Sequence, residues 1–389
     1  MTIVLTGGGS GGHITPILAV AAEIKHIRPD VKVVYIGQIG DQFADIPAKD
    51  PNFDQVFYVR AGKFRRYHGE GLRQLLDFST MYLNIRDLIF VFIGIFQSRK
   101  LIKKIKPSIV FSRGGYVSVP VSLGAKIDGV RYITHDSDSI PSLANKLISP
   151  WATQHFVALP KDTYSYPQNK TVTTGIPLSN KIVSISEKLK QEYRRKLAIR
   201  SSSKFIFIIG GGLGAQSLNE VVAEVMPNLM AEFKDLEVVH LVGKYKDDVA
   251  ISDYKSKLSE IQLKRVKVLD YSDEVYLYSG AADIVITRAG ATSLAEYAIQ
   301  GKACIVVPST VLTGGHQLKN AQILEKSGAV VVLNDLGLAK DPTKLGAQVS
   351  RLLNDKSARN ELELQIHKFA KPNSTENIAR RILDIAMNK

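Results

Sequence analysis

Thr2-Ile3-Val4-Leu5-Thr6-Gly7-Gly8-Gly9-Ser10-Gly11-Gly12-His13-Ile14-Thr15-Pro16 opens the chain, and its pattern returns in the second half as Lys204-Phe205-Ile206-Phe207-Ile208-Ile209-Gly210-Gly211-Gly212-Leu213-Gly214-Ala215. Each stretch is a β-branched or aromatic run that passes into glycines. Such a run reads as a buried strand, and the glycines let backbone N–H groups approach a phosphate at the start of the next helix. Further out, residues 31–37, 108–112, 131–134, 154–158, 237–242, 265–269, 283–287, 304–307 and 329–333 also read as strands, separated by helical spacers. That alternation predicts parallel sheets covered on both faces. The doubling predicts an α/β fold of two Rossmann-like parallel-sheet domains facing across a cleft. Their expected extents are 1–173 and 174–374, with Gly175-Ile176-Pro177 and the polar stretch 181–200 as the hinge region. The closing stretch, about 375–389, is a candidate to pack back on the first domain.

A chain of 389 residues exceeds what one hydrophobic core usually supports, so two domains agree with its length. Cys304 is the only cysteine, which excludes an intrachain disulfide and an all-cysteine metal site. The N-terminus lacks the basic region, apolar core and cleavage site of a secretory signal. The longest apolar run, residues 88–96, has nine residues; a membrane-crossing helix needs about 20, so no crossing is expected. The net charge is +14, and it is uneven: between Phe57 and Lys106 eleven Lys and Arg stand against Glu70, Asp77 and Asp87. Leu75, Phe78, Met81, Tyr82 and Leu83 lie among them. A basic-apolar segment over 60–106 fits an anionic membrane surface, as it fits a core helix with a solvated basic rim. No nucleic-acid motif accompanies the charge, so no nucleic-acid partner is expected.

Gly7-x-Gly9-x-x-Gly12 satisfies the dinucleotide fingerprint, and Gly210-x-Gly212-x-x-Ala215 its relaxed form. A nicotinamide enzyme also needs a carboxylate at the tip of the second strand, for the ribose. Ile36-Gly37-Gln38 and Val242-Gly243-Lys244 supply none there, which argues against a dehydrogenase. A P-loop NTPase is less favoured still, because no G-x-x-x-x-G-K-[ST] occurs. His13 follows the first loop, and Pro16 suits a first helical turn; the histidine reads as a base, as a phosphate and acceptor contact, or as a capping residue. Ser112-Arg113-Gly114-Gly115-Tyr116 is a third glycine element, either a second anion site or a plain tight turn.

These glycine loops, with Gly114-Gly115-Tyr116-Val117-Ser118 and with Asn219 after the last, resemble the three glycine loops of the MurG family. Ala282-Asp283-Ile284-Val285-Ile286-Thr287-Arg288-Ala289-Gly290-Ala291-Thr292-Ser293-Leu294-Ala295-Glu296 resembles that family's donor signature, continued by Val307-Pro308 and His316-Gln317-Leu318-Lys319-Asn320-Ala321. The match runs in order to about Leu333. The resemblance implies a GT-B enzyme that moves N-acetylglucosamine from UDP-GlcNAc, with inversion, to the 4-hydroxyl of MurNAc in undecaprenyl-pyrophosphoryl-MurNAc-peptide. It implies peptidoglycan synthesis, a peripheral place on the cytoplasmic face of the bacterial membrane, and neither cofactor nor metal.

The resemblance also implies residue roles. His13 is the candidate base, with Asp136 a second catalytic candidate. Ser10, Gly11, Gly12, Asp138 and Gly212 are implied at the donor, with Ser272 near the uracil. Gly290, Ala291 and Thr292 are implied at the diphosphate, Glu296 at the ribose hydroxyls, and His316 and Gln317 at the sugar. Gly11, Gly12, Gly114, Gly115 and Tyr116 are implied at the acceptor pyrophosphate. The chain departs from the family pattern in four places. His135-Asp136-Ser137-Asp138 stands for His-Glu-Gln-Asn, Ser179 for Arg, Val119 for Gly, and residues 83–105 are unusually apolar. The Asp-x-Asp string reads as coincidence and not as a metal clamp. A diacylglycerol glycosyltransferase, a nucleotide-sugar epimerase and a non-catalytic membrane adaptor are the competing functions.

Overall fold

The computed structural model describes residues 1–9, 11–63, 78–211, 214–243, 247–309 and 315–388. Among them, the first sheet has seven strands: β1 (Thr2–Thr6), β2 (Lys32–Gln38), β3 (Gln55–Val59), β4 (Ile109–Ser112), β5 (Tyr132–Asp136), β6 (Gln154–Val157) and β7 (Thr171–Thr173). The second has six: β8 (Phe205–Ile209), β9 (Glu237–Leu241), β10 (Val266–Leu269), β11 (Ile284–Thr287), β12 (Cys304–Val306) and β13 (Val331–Val332). Every pairing is parallel. The orders are β3-β2-β1-β4-β5-β6-β7 and β10-β9-β8-β11-β12-β13. In each sheet the winding reverses beside its first strand, between β1 and β4 and between β8 and β11. Open parallel sheets bind ligands at the carboxyl ends of the strands flanking such a reversal, and three of the expected glycine motifs stand there.

Burial on both faces explains why the strands read as continuous apolar runs. Phe205 and Phe207 pack with Tyr278, Leu294 and Ala298, while Ile206 and Ile208 pack with Leu218, Val222 and Leu345 on the other side. Alternate residues of one strand thus serve two helical layers. β3 and β7 escape the sequence reading. Both are outer strands, β7 has three residues, and β3 ends directly before the segment read as basic-apolar.

The chain divides into unit 1, Met1–Asn180 with Lys371–Lys389, and unit 2, Lys181–Ala370. The divisions fall seven residues later and four residues earlier than the sequence suggests. The helix Ser374–Met387 belongs to unit 1, where Ile378, Ile382 and Leu383 pack with Ile17, Val20 and Ile24. Each such side chain contributes roughly 1.5–3 kcal/mol by leaving water. The polar stretch expected at the hinge contains the helix Glu187–Lys196, which is anchored within unit 2. Arg194 is buried there, donating to Asp283 at 2.8 Å and to the Ser203 carbonyl at 2.8 Å, and Lys190 pairs with the same Asp283.

The nine-residue apolar run proves to be the middle of a 28-residue helix, Phe78–Ile105. An 18-residue window within Thr80–Ile105 has a mean hydropathy of 1.3, so by length and composition this helix could cross a membrane. One face is instead pinned to unit 1. A Cβ on Gly94 would lie 2.0 Å from the Arg60 carbonyl oxygen, and one on Gly124 2.9 Å from Ser98 Cβ. Arg60 N donates to Gln97 Oε1 at 2.8 Å. The outer face leaves Tyr82, Ile85, Leu88, Ile89, Phe92 and Phe96 more than half exposed.

Candidate functional site

In unit 1 the first and third glycine motifs interlock at the β1/β4 reversal. Gly115 has φ +85°, and a Cβ there would sit 2.4 Å from the Gly8 carbonyl oxygen. Only glycine accepts both the left-handed backbone and the approach. A Cβ on Gly9 would meet the Tyr116 ring at 3.6 Å, and one on Gly114 would meet His13 Cε1 at 3.4 Å. The structure therefore sets His13 against Gly114, Gly8 against Gly115 and Gly9 against Tyr116. Gly11 and Gly12 open the adjoining helix Gly11–Ile27, whose first-turn N–H groups lack intrahelical acceptors. Ser10 and Gly212, both expected at the donor, lie outside the described residues, as do residues 64–77 of the basic-apolar segment.

His13 Nδ1 lies 3.2 Å from the Arg113 carbonyl oxygen. That carbonyl accepts only, so Nδ1 carries the proton and Nε2 keeps its lone pair. Burial and then the Arg113 guanidinium lower the histidine to about 4, so the ring is neutral at pH 7. Arg113 is buried below the loop, and its guanidinium donates to Ser137 Oγ and, at 3.4 Å, to the Gly12 carbonyl. Asp138 shares the Ser137 loop; its carbonyl accepts from Tyr164 OH at 3.0 Å. Asp136 has a different employment. Oδ1 accepts from Ser142 N at 3.0 Å and Oδ2 from Tyr166 OH at 2.8 Å. Oδ1 thus holds the entry to the helix Leu143–Ile148 and Oδ2 ties in Tyr166, while burial raises the carboxyl above its ordinary value.

In unit 2 the helix Ala291–Gln300 starts directly after β11, with Gly290 as its N-cap and no side-chain cap. The N–H groups of Ala291 and Thr292 are thus free of side-chain capping, at the positive end of the helix dipole. Two turns in, Glu296 is half-buried and makes no hydrogen bond or ion pair among the described residues. Burial raises it to about 7. Arg288, just before Gly290, is buried against Asp335, with Nη1 3.0 Å from Oδ2. It also donates to Ser217 Oγ at 2.7 Å and to the Val307 carbonyl at 3.0 Å. One guanidinium thereby ties together the segments that follow β8, β11, β12 and β13.

His316 opens the helix His316–Lys326, and its buried Nδ1 has no partner among the described residues. Gln317 Oε1 accepts from Ser309 N at 2.9 Å, which leaves its amide hydrogens as donors. Ser272 Oγ accepts from Glu274 N at 3.0 Å, so its side chain shapes the turn before the helix Val275–Ala281. Among the described residues no three His, Cys, Asp or Glu side chains gather as a metal site.

Sequence reasoning missed Arg288–Asp335 and Asp41. No carboxylate stands at the tip of β2, but Asp41, three residues past its end, turns back and accepts from Gly9 N at 2.7 Å. The only signal was an acidic residue in a short loop. The Arg–Asp pair spans distant segments and left no local sign at all.

Residues 3–157 match the glycosyltransferase family 28 N-terminal domain, and residues 205–378 match the glycosyltransferase family 28 C-terminal domain. A curated relative from Desulfitobacterium hafniense (strain Y51) is 30% identical over 388 residues, covering 99% of this chain and 100% of its own. It is named UDP-N-acetylglucosamine–N-acetylmuramyl-(pentapeptide) pyrophosphoryl-undecaprenol N-acetylglucosamine transferase. A relative of the same name from Clostridium botulinum (strain Loch Maree / Type A3) is 34% identical over 334 residues, 86% of each chain. The crystal structure of Acinetobacter baumannii MurG shares the fold, with a TM-score of 0.71 at 23% identity over 98% of this chain and 99% of that one. The chain therefore belongs to the MurG family of GT-B glycosyltransferases.

Proposed function

We propose that the protein transfers N-acetylglucosamine from UDP-GlcNAc, with inversion, to the 4-hydroxyl of MurNAc in undecaprenyl-pyrophosphoryl-MurNAc-peptide, converting lipid I to lipid II. The observation that carries this reading is the unpaired Glu296 carboxylate on a helix whose start has no side-chain cap. Two ribose hydroxyls satisfy the one, and a diphosphate satisfies the other. Unit 2 is thus the donor unit. Ala291 and Thr292 hold the diphosphate, Gly290 lets it approach, and the amide of Gln317 with His316 meets the sugar hydroxyls. The backbone beside Ser272 is assigned to the uracil, with Gly212 on the same site.

Unit 1 is the acceptor unit. The amides at Gly11, Gly12, Gly114 and Gly115, with Tyr116, are assigned to the acceptor pyrophosphate. Ser10 and Asp138 are assigned to the donor's sugar side. His13 Nε2 takes the proton of the acceptor hydroxyl as its oxygen bonds to the anomeric carbon. The bond from that carbon to the diphosphate breaks, and UDP leaves with the electron pair. The free N–H groups of the helix start stabilise the developing charge. Asp136, with both oxygens engaged, positions the Ser137–Asp138 loop and makes no contact with the reacting atoms.

Radiolabelled UDP-GlcNAc offered with lipid I or with diacylglycerol tests the reaction. Label is expected in lipid I alone, and labelled diacylglycerol or donor turnover without acceptor rejects the reading.

The membrane partner follows from the helix Phe78–Ile105. An anionic bilayer on the cytoplasmic face is assigned to its exposed apolar stripe, with Lys100, Lys103 and Lys104 beside it. Arg99 is committed to Asp128, at 3.0 Å, and Lys103 lies 3.9 Å from the same carboxylate. Phe92→Glu with Phe96→Glu is expected to weaken binding to phosphatidylglycerol vesicles at least tenfold, on the basis of about 1.5–3 kcal/mol per buried aromatic. Lys100→Glu with Lys104→Glu is expected to weaken it at low salt only. Undiminished binding in both discards this face.

A further inference from the structure

The first glycine loop has the form of an anion-binding element, yet one of its amides already carries an anion. Gly9 N donates to Asp41 Oδ2 at 2.7 Å, and Phe43 N donates to Asp41 Oδ1 at 3.0 Å. The carboxylate plane is therefore fixed from both ends. The approach is close: a Cβ on Gly8 would stand 2.6 Å from the same Oδ2. The other side of Gly8 is covered by Gly115, so Asp41 and the two glycine motifs form one interlocked piece. Unit 2 differs. Gly214, in the matching loop, packs on the Val242 carbonyl, and no carboxylate is bonded to that loop among the described residues. The two loops are alike in glycine content and differ in the charge set beside them.

We propose that Asp41 determines the specificity of the acceptor site: its fixed carboxylate weakens the first glycine loop for soluble diphosphates, so that a pyrophosphate is held only when sugar and lipid contacts accompany it. The inference rests on the reading of Gly11, Gly12 and Gly114–Tyr116 as the acceptor-pyrophosphate site. At this exposed contact the dielectric is close to that of water, and there one unit charge a few Å from a bound anion changes affinity by about tenfold. A surface-tethered acceptor tolerates that loss, because tethering raises its effective concentration. A free nucleotide diphosphate has no such compensation and is left to unit 2.

Inhibition by inorganic pyrophosphate, measured against lipid I at saturating UDP-GlcNAc, tests this in the wild type, Asp41→Asn and Asp41→Ala. Asparagine keeps an oxygen for Gly9 N–H and loses the charge. Its competitive inhibition constant is expected to fall about tenfold, and that of the alanine variant to fall as well. Unchanged or weaker inhibition in Asp41→Asn overturns the inference. So does a pattern in which alanine weakens pyrophosphate binding and asparagine restores the wild-type value, because that marks a mere tether. Pyrophosphate that never competes with lipid I, in any of the three proteins, overturns the acceptor-site reading and the inference with it.

Discussion

Glu296→Ala is expected to raise the KM for UDP-GlcNAc about 100-fold, because on the proposed reading it removes two charge-assisted hydrogen bonds of roughly 1.5 kcal/mol each. The structure gives the effect a second signature, in pH. The free carboxyl titrates near 7 because burial disfavours its charge. Ribose hydroxyls donate to the ionised form, so bound donor favours that form and draws the value down. Donor affinity is therefore full above pH 7 and falls as pH falls through 7. Between pH 8 and pH 6 the loss is about tenfold, the ratio of ionised fractions in the free enzyme. UDP-GlcNAc is the right probe, since its diphosphate is a diester that does not titrate in this range. Glu296→Gln abolishes the slope and keeps the shape. Titration calorimetry at the two pH values reads both, and a slope that survives in the glutamine variant removes Glu296 from the ribose.

His13→Ala lowers kcat by about 100- to 10,000-fold, the range a positioned general base supplies, with a much smaller change in the KM for UDP-GlcNAc. Burial and Arg113 hold the imidazole near 4, so Nε2 is unprotonated throughout the neutral range. At saturating donor, kcat/KM for the acceptor is therefore level from pH 8 down to about pH 5 and falls only where the ring takes a proton. On the proposed reading the two titrations separate, one governing donor binding near 7 and the other transfer near 4. A rate within threefold of wild type in the alanine variant rejects His13 as base. A wild-type acid limb near pH 6.5 rejects the buried, neutral imidazole described above.

Much of the fold is legible in the sequence because of burial. Phe205–Ile209 is buried on both faces, and such strands leave an unbroken apolar run. Thr171–Thr173 escapes notice because three residues carry no period, and Gln55–Val59 because it is a half-buried edge strand set between Asp54 and Arg60. The helix Phe78–Ile105 is hidden for another reason. Its exposed face is apolar while Asp87 is buried, which inverts the pattern that usually marks an amphipathic helix. The glycine motifs and Glu296 stand out in the sequence because they lie in local patterns of backbone and spacing, and the roles proposed for them rest on those patterns. Asp41, Arg113 and the Arg288–Asp335 pair act through side chains that reach distant segments. No local rule shows where a carboxylate three residues past a strand will turn.

The helix Ser374–Met387 has a consequence for how the chain is made. Its apolar stripe completes the core under β1, so unit 1 stays unfinished until residues beyond 374 have emerged. Unit 2, contiguous from 181 to 370, is synthesised in full during that wait. Until the last helix docks, Ile17, Val20 and Ile24 stay wet on a nascent, aggregation-prone surface. A fragment cut at residue 180 inherits that bare patch, and a circular permutant that splices 371–388 ahead of Met1 closes it at once.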